Sequence, residues 1–378
     1  MVTRDVRVIA RSKLTLSLRV LGRRPDGFHD LEGLVVSLRD PHDVIGLRIQ
    51  APFGVRVRLS GRAVVGVPVD ETNLAARAAR LLLEVAAEED DPGPWAASGL
   101  DISLHKTIPA GAGLGGGSAD AAGALVGGAR LLGLSLDTDR LAALGASLGS
   151  DVPFCVAGGA AWMRGRGEIL EHLSLPASVA PPTAPGLSQL SPTVAGPGPL
   201  GTVAVPPGPP NASRMPPVPV PPGASRLPGT APPPGSSGWP WPTAREPAGL
   251  AVVVAVPPFP LNTAAVYRAW DELGGPSSDR AVPLPGSLGG LGLPDQLIND
   301  LEPAAEHLEP RLRPFREALE GLAGGPALLA GSGSAYVVPV ASPAQAAVLA
   351  NQVSVELRAT AFATGLATRG VEAQRALE

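Results

Sequence analysis

A chain of 378 residues is long for one domain, and its length alone predicts two. Hydrophobic residues make up 44% and charged residues 17%, enough for a substantial core, whereas 47 glycines and 44 prolines exceed what helices and strands absorb. The net charge of −4 excludes a phosphate-coating nucleic-acid binder, and a single cysteine excludes an internal disulfide framework or a Cys-rich zinc site.

The lone cysteine fits a reducing cytoplasm. The opening MVTRDVRVIARSKLTL is charged and lacks the apolar run of a signal peptide. No stretch approaches the ~18 apolar residues that would cross a membrane. The expectation is a cytoplasmic protein without a membrane or nucleic-acid partner, its oligomeric state left open.

Along the chain, strand-like alternation runs through Val6–Leu18 and again through Val44–Leu59. In the first, Lys13, Thr15 and Ser17 should share one face, opposite Leu14, Leu16 and Leu18. Asn73–Ala87 reads as a helix with Leu74, Ala78, Leu81 and Leu82 on one side. A short strand, Ile102–Leu104, leads into a glycine-rich turn, and helices follow at Ser118–Leu132 and Thr138–Leu148. Residues 176–248 are dense in proline, glycine, serine and alanine, with runs such as Pro206-Pro-Gly-Pro-Pro210 that forbid helix. Such a stretch cannot bury enough apolar area to offset its ordering entropy and is expected to be a disordered insertion. It should be dispensable for folding, with Trp239 and Trp241 the side chains able to reach a substrate mouth.

The second block, 249–378, opens with a buried-strand run at Leu250–Val256. Helices are expected at Thr263–Glu272, Pro303–Leu319 and Pro343–Leu357, with strands near Ala327–Leu329 and Ala335–Val340. Helices and strands mixed without strict βαβ spacing predict an α+β architecture, with structured domains at 1–175 and 249–378.

Four motifs carry chemistry. Ile108-Pro-Ala-Gly-Ala-Gly-Leu-Gly-Gly-Gly-Ser118 packs five glycines into seven residues ahead of a helix. That pattern lets backbone N–H groups converge on a phosphate beside a positive helix end. No Gly-Lys-Ser/Thr closes it, so it is not a Walker A loop. Lys13 is one of only two lysines, the other being Lys106, in a chain otherwise cationic through arginine. Asp151, in Gly149-Ser-Asp-Val-Pro-Phe154, fits either a turn residue capping backbone groups or a base accepting a hydroxyl proton. Gly331-Ser-Gly-Ser-Ala335 is a further small-residue turn.

These pieces stand in the order found in the GHMP kinase superfamily. Arg24-Pro-Asp-Gly-Phe-His29-Asp-Leu31, Leu148-Gly-Ser-Asp-Val-Pro-Phe154 and Asn299-Asp-Leu-Glu-Pro303 closely resemble motifs of the 4-diphosphocytidyl-2-C-methyl-D-erythritol kinase family. The resemblance covers both structured blocks and misses only the insertion. It implies an N-terminal domain like the second domain of ribosomal protein S5 and a ferredoxin-like C-terminal domain. It also implies transfer of phosphate from ATP, with Mg²⁺, to the 2-hydroxyl of a cytidyl diphosphate-linked methylerythritol, in the non-mevalonate route to isoprenoids.

Carried over by residue, Asp151 matches the catalytic base and Lys13 the lysine that orients the hydroxyl. An ammonium there would keep the Asp ionised and stabilise the developing alkoxide. Pro109, Gly111, Gly113, Leu114, Gly115, Gly116, Gly117 and Ser118 match the ATP phosphate loop, and Asn73 and Lys106 fall at nucleotide-contacting positions. Phe28 and His29 match the cytosine site, with Thr263 and Tyr267 on the substrate side and Tyr267 as the second stacking aromatic. No residue set is assigned to the metal.

Thr15 departs from the family's usual Asn and keeps a hydroxyl while losing the amide. Arg11 replaces a small residue or proline, and the insertion is foreign to the family. Two other readings stay open. One is a GHMP kinase acting on another small alcohol such as homoserine or a sugar, and the other is a non-catalytic relative whose proline-rich segment recruits SH3-like partners.

Overall fold

The computed structural model describes residues 5–50, 54–88, 98–173, 251–276, 282–283 and 296–374. The whole proline-rich insertion, with Trp239 and Trp241, lies outside the described residues.

The first block runs β1 (Asp5–Arg23), β2 (His29–Gln50), β3 (Val55–Gly61), α1 (Leu74–Ala87), β4 (Gly99–Lys106), α2 (Gly116–Leu132), α3 (Thr138–Ala146), α4 (Val152–Ala157), β5 (Ala160–Gly165) and β6 (Ile169–Leu173). The second runs β7 (Ala251–Val256), α5 (Thr263–Glu272), β8 (Val282–Pro283), β9 (Gln296–Leu297), α6 (Glu302–Leu308), α7 (Leu312–Ala323), β10 (Leu328–Leu329), β11 (Tyr336–Val340), α8 (Pro343–Glu356), β12 (Thr360–Ala367) and β13 (Val371–Gln374).

In the second block, β7, β10, β11 and β12 form an antiparallel sheet in the order β10-β11-β7-β12. With α5 after β7 and α8 after β11, this is the ferredoxin-like arrangement. The sheet does not stop at the block boundary. Leu366 and Ala367 of β12 pair with Leu38 and Ser37 of β2, and β13 returns to pair with β1. Around β2 the first block adds β1, β4 and β5, with β3 parallel to β4.

The continuous sheet has a core on each face. Val252, Val254 and Val256 of β7 join one, packed with α1 and α2, while Ala251, Val253 and Ala255 join the other, packed with α5 to α8. A strand buried on both sides needs no alternation, which is why Leu250–Val256 reads as an unbroken apolar run.

Several expectations change at this level. Irregularities between Arg11 and Lys13 and between Thr15 and Ser17 break the alternation of β1. Leu14 and Leu16 therefore pack in the first core, but Leu18 and Val20 lie in the second. One extra residue at a bulge is enough to reverse the facing of everything after it. The buried stripe of α1 is Ala75, Ala76, Ala78, Ala79, Leu82, Leu83 and Ala86, with Leu74 and Leu81 at its edge. The helix expected over Pro303–Leu319 is two, because Pro310 disfavours helical backbone at Glu309, which sits at φ −131°, ψ 87°. The single strand read over Val44–Leu59 is also two, and β5, β6, β12, β13 and α4 were not foreseen.

Candidate active site

The glycine-rich loop over 111–117 shows why its glycines are needed. Gly113 and Gly115 adopt φ of 81° and 68°. A Cβ on Gly113 would lie 2.6 Å from the Ala330 carbonyl oxygen, and one on Gly115 would lie 2.6 Å from Lys13 Cγ. The loop is thus clamped between the C-terminal Gly331–Ser334 turn and the stem of Lys13. Helix α2 starts at Gly116, two residues before the expected Ser118, and Gly115 caps it with no side-chain hydrogen bond. Its first N–H groups remain available to an anion, beside the positive end of the helix dipole.

Lys13 and Asp151 meet across this loop. Lys13 Nζ lies 3.2 Å from Asp151 Oδ2 and donates to Thr15 Oγ1 at 3.2 Å. The Lys13 backbone N–H donates to Leu114 O, 3.0 Å away, which ties the strand to the loop. Asp151 opens α4, yet its carboxylate makes no capping hydrogen bond there. The alternative of a purely capping Asp is therefore not what the geometry shows.

A cleft of about 850 Å³ runs from this pair to a cluster of rings, and every site residue expected from sequence lines it. At the far end, His29 Nε2 donates to Asp271 Oδ1 at 2.8 Å. The His29 ring stacks on Tyr267 with centroids 4.9 Å apart and meets Trp270 edge-on at 5.5 Å. One face of Tyr267 is therefore already covered by His29. Phe28 is 54% exposed at the cleft mouth, with the Arg166 guanidinium 4.9 Å above its ring. Burial, reinforced by the charge of Asp151, pushes the Tyr267 phenol well above its ordinary pKa. Thr263, at the start of α5, accepts from Ser332 Oγ at 3.0 Å and ties that helix to the C-terminal turn.

Asn73 and Lys106, expected at nucleotide-contacting positions, have their polar heads turned to protein partners. The Asn73 carbonyl accepts from the N–H groups of Ala75 and Ala76, and its amide donates to Pro68 O. It is the N-cap of α1. Lys106 Nζ donates to both Asp43 Oδ2 and Asp120 Oδ2, and all three groups are buried. Asp43 Oδ1 also accepts the N–H groups of Thr107 at 2.6 Å and Ile108 at 3.0 Å, where the phosphate loop begins. Burial opposes the Lys106 ammonium, but Asp120 and Asp43 outweigh it and raise its pKa. Burial drives the Asp120 carboxyl up to about 8, with Lys106 pulling it down and Asp43 pushing it further up. Asp120 Oδ1 is buried without a hydrogen-bond partner.

Sequence reasoning missed Asp43, Asp120, Arg166 and Asp271. Asp271 carried a signal, since it stands four residues after Tyr267 on the same helix face. Asp43 carried none, because only the pairing of β2 with β4 brings it to Lys106.

Residues 73–159 match the family model described as GHMP kinases N terminal domain. A 4-diphosphocytidyl-2-C-methyl-D-erythritol kinase of Methylococcus capsulatus is 46% identical over 172 residues, which are 46% of this chain and 55% of that one. One from Bacillus cereus is 43% identical over 171 residues, 45% of this chain and 55% of the relative. The chain thus spans about half the length of the curated relatives it matches. A solved 4-(cytidine 5'-diphospho)-2C-methyl-D-erythritol kinase superposes with a TM-score of 0.59 at 27% identity, over 96% of this chain and 99% of that one. A homoserine kinase from Cytophaga hutchinsonii also gives 0.59, over 99% of this chain and 98% of its own, but at 16% identity that shows the shared fold alone.

Proposed function

We propose that this chain, which has the GHMP kinase fold, transfers the γ-phosphate of ATP to the 2-hydroxyl of 4-diphosphocytidyl-2-C-methyl-D-erythritol, a step toward isoprenoid precursors. One observation carries the reading: the Lys13–Asp151 pair lies between a glycine-rich loop suited to phosphate and a ring-lined recess suited to a nucleobase.

The acceptor hydroxyl would sit at Asp151, whose carboxylate takes its proton as the oxygen attacks phosphorus. Lys13, 3.2 Å from that carboxylate, offsets charge on the developing alkoxide, while its ammonium is also held by Thr15 Oγ1. The free N–H groups at the start of α2 cradle the transferred phosphate. In the recess, His29 and Phe28 would meet the base, and Tyr267 would brace His29 from behind.

Among the described residues no group of three or more His, Cys, Asp or Glu could hold a metal. The donors at hand are the Ser118 hydroxyl and Asp120 Oδ1, which suit a magnesium ion carried mainly by phosphates and water. When bound, Mg²⁺ would neutralise phosphate charge.

The test is steady-state transfer with ATP and Mg²⁺, offering the cytidyl substrate against homoserine and galactose. The reading requires kcat/KM for the cytidyl substrate to exceed both others by at least about a hundredfold. Comparable rates on homoserine would overturn the substrate assignment and keep the kinase.

A further inference from the structure

Asn299 has no place in the chemistry above, yet its whole amide is committed. The residue is 1% exposed. Its Nδ2 donates to the carbonyl oxygens of Leu329 and Gly331, each at 2.7 Å, and its Oδ1 accepts the Leu301 N–H at 2.9 Å. The backbone around it is fastened to β1. Leu18 N donates to Ile298 O at 2.7 Å, Asp300 N donates to Leu18 O at 3.0 Å, and Val20 N donates to Asp300 Oδ2 at 3.0 Å. One side chain therefore spans the gap between the strand that carries Lys13 and the turn over residues 330–335.

That turn touches both halves of the reacting centre. A Cβ on Gly331 would lie 3.3 Å from Thr15 Oγ1 and 4.0 Å from Lys13 Nζ. A Cβ on Gly333 would lie 2.2 Å from the Ala112 carbonyl carbon, and Ala335 N donates to Ala112 O at 3.3 Å. A shift of the turn would thus move the wall behind Lys13 and the bed of the phosphate loop together.

We propose that Asn299 is a positioning residue for phosphoryl transfer, setting the turn against which Lys13, Thr15 and the phosphate loop are held. The residue type follows from the partners. Two carbonyls need two N–H donors from one group, and the neighbouring N–H needs an acceptor; a side-chain amide supplies all three. An Asp would face two carbonyls with a carboxylate, and an Ala would strand three buried backbone groups. The inference rests on the kinase reading of Lys13 and Asp151.

The test compares Asn299→Ala with wild type and with Gly331→Ala, and combines the two changes. Measurements are made well below the unfolding midpoint, on samples with native circular dichroism. Expected is a fall in kcat of at least about tenfold, with KM for ATP and for the acceptor moving less than about threefold. The double variant should be no slower than the worse single one, since both act through the same turn. Hydrogen exchange on the same samples should show Gly333 and Ala335 losing protection while β12 keeps its own. A lowered midpoint with kcat within twofold of wild type would reduce Asn299 to a structural residue, and additive effects would remove the turn as intermediary. Should Asn299→Ala fail to fold, Asn299→Ser, which keeps one donor, enters the same comparison. A wild type inactive on every acceptor would defeat the proposed function, while the exchange result still decides whether Asn299 holds the turn.

Discussion

Replacing Lys106 with Met tests the buried charge group beneath the glycine-rich loop. The substitution keeps the length of the side chain and removes the one cation between Asp43 and Asp120. Two carboxylates, 0% and 2% exposed, would then face each other without compensation. Breaking a buried pair in this way typically costs about 3–5 kcal/mol, because the stranded charge keeps its desolvation penalty and loses its partner. The pH dependence supplies a sharper check. Asp120 already has a folded pKa raised above its unfolded value, and loss of Lys106 removes the group that pulls it down. A carboxyl raised in the folded state binds more protons there than in the unfolded chain, so stability falls as pH rises from the unfolded pKa toward the folded one. The Lys106→Met penalty should therefore be larger at pH 8, where the wild-type carboxyl has begun to release a proton that the variant keeps, than at pH 5, where both keep it. Urea unfolding followed by circular dichroism at both values measures it. Adding Asp120→Asn should recover much of the loss at pH 8. A penalty below about 1 kcal/mol, or one equal at the two pH values, would refute the buried-charge account.

Asp151→Asn should abolish transfer while ATP binding, read by equilibrium titration, survives, since the amide keeps the shape but cannot take the proton. Transfer within tenfold of wild type would remove Asp151 from the mechanism. Gly115→Ala forces an alanine to φ 68° at about 1–2 kcal/mol and drives a methyl into Lys13 Cγ. It should lower kcat by more than tenfold at modest cost in stability, and an unchanged kcat would mean that Lys13 has room to move. Phe28→Ala should weaken the cytidyl substrate by about 1–3 kcal/mol, and Tyr267→Ala should weaken it too, through loss of the ring that braces His29; both should leave ATP affinity alone, as competition titrations would report. Normal binding by both would dismiss the ring-lined end as a base site.

Local chemistry explains what was readable in advance. The glycine loop, the α5 boundaries and the apolar run of β7 are each set by residues adjacent in sequence, so pattern and outcome agree. The break at Glu309 was equally local, and the proline rule that explains it was available in the sequence. The facing of Leu18 was not, because a bulge depends on how β1 meets β2 across the sheet. Lys13 shares a face with Thr15, as alternation requires, and the hydrogen bond between them follows from that local pattern. Lys106 shows the opposite case, a position matched by resemblance whose head group proves to be held between two carboxylates distant in sequence.

The proposed reacting centre draws its residues from both blocks. Lys13 and the glycine-rich loop come from the first, the Gly331 turn and Tyr267 from the second, and the loop meets the turn through backbone rather than long side chains. They meet where side chains are missing. Gly113 lets the backbone of Ala330 approach and Gly333 lets Ala112 approach, while within the first block Gly115 gives passage to the stem of Lys13. At these positions the absent Cβ provides clearance, and the φ of Gly113 and Gly115 is what a backbone pressed that closely must adopt. A centre built from backbone contact is stiff, because backbone cannot change rotamer to relieve a clash. Stiffness is what in-line phosphoryl transfer demands, since its rate rests on positioning and on fixed dipoles rather than on covalent chemistry by the protein. It follows that residues far from the reacting atoms, Asn299 above all, can govern turnover by holding a turn rather than by touching substrate.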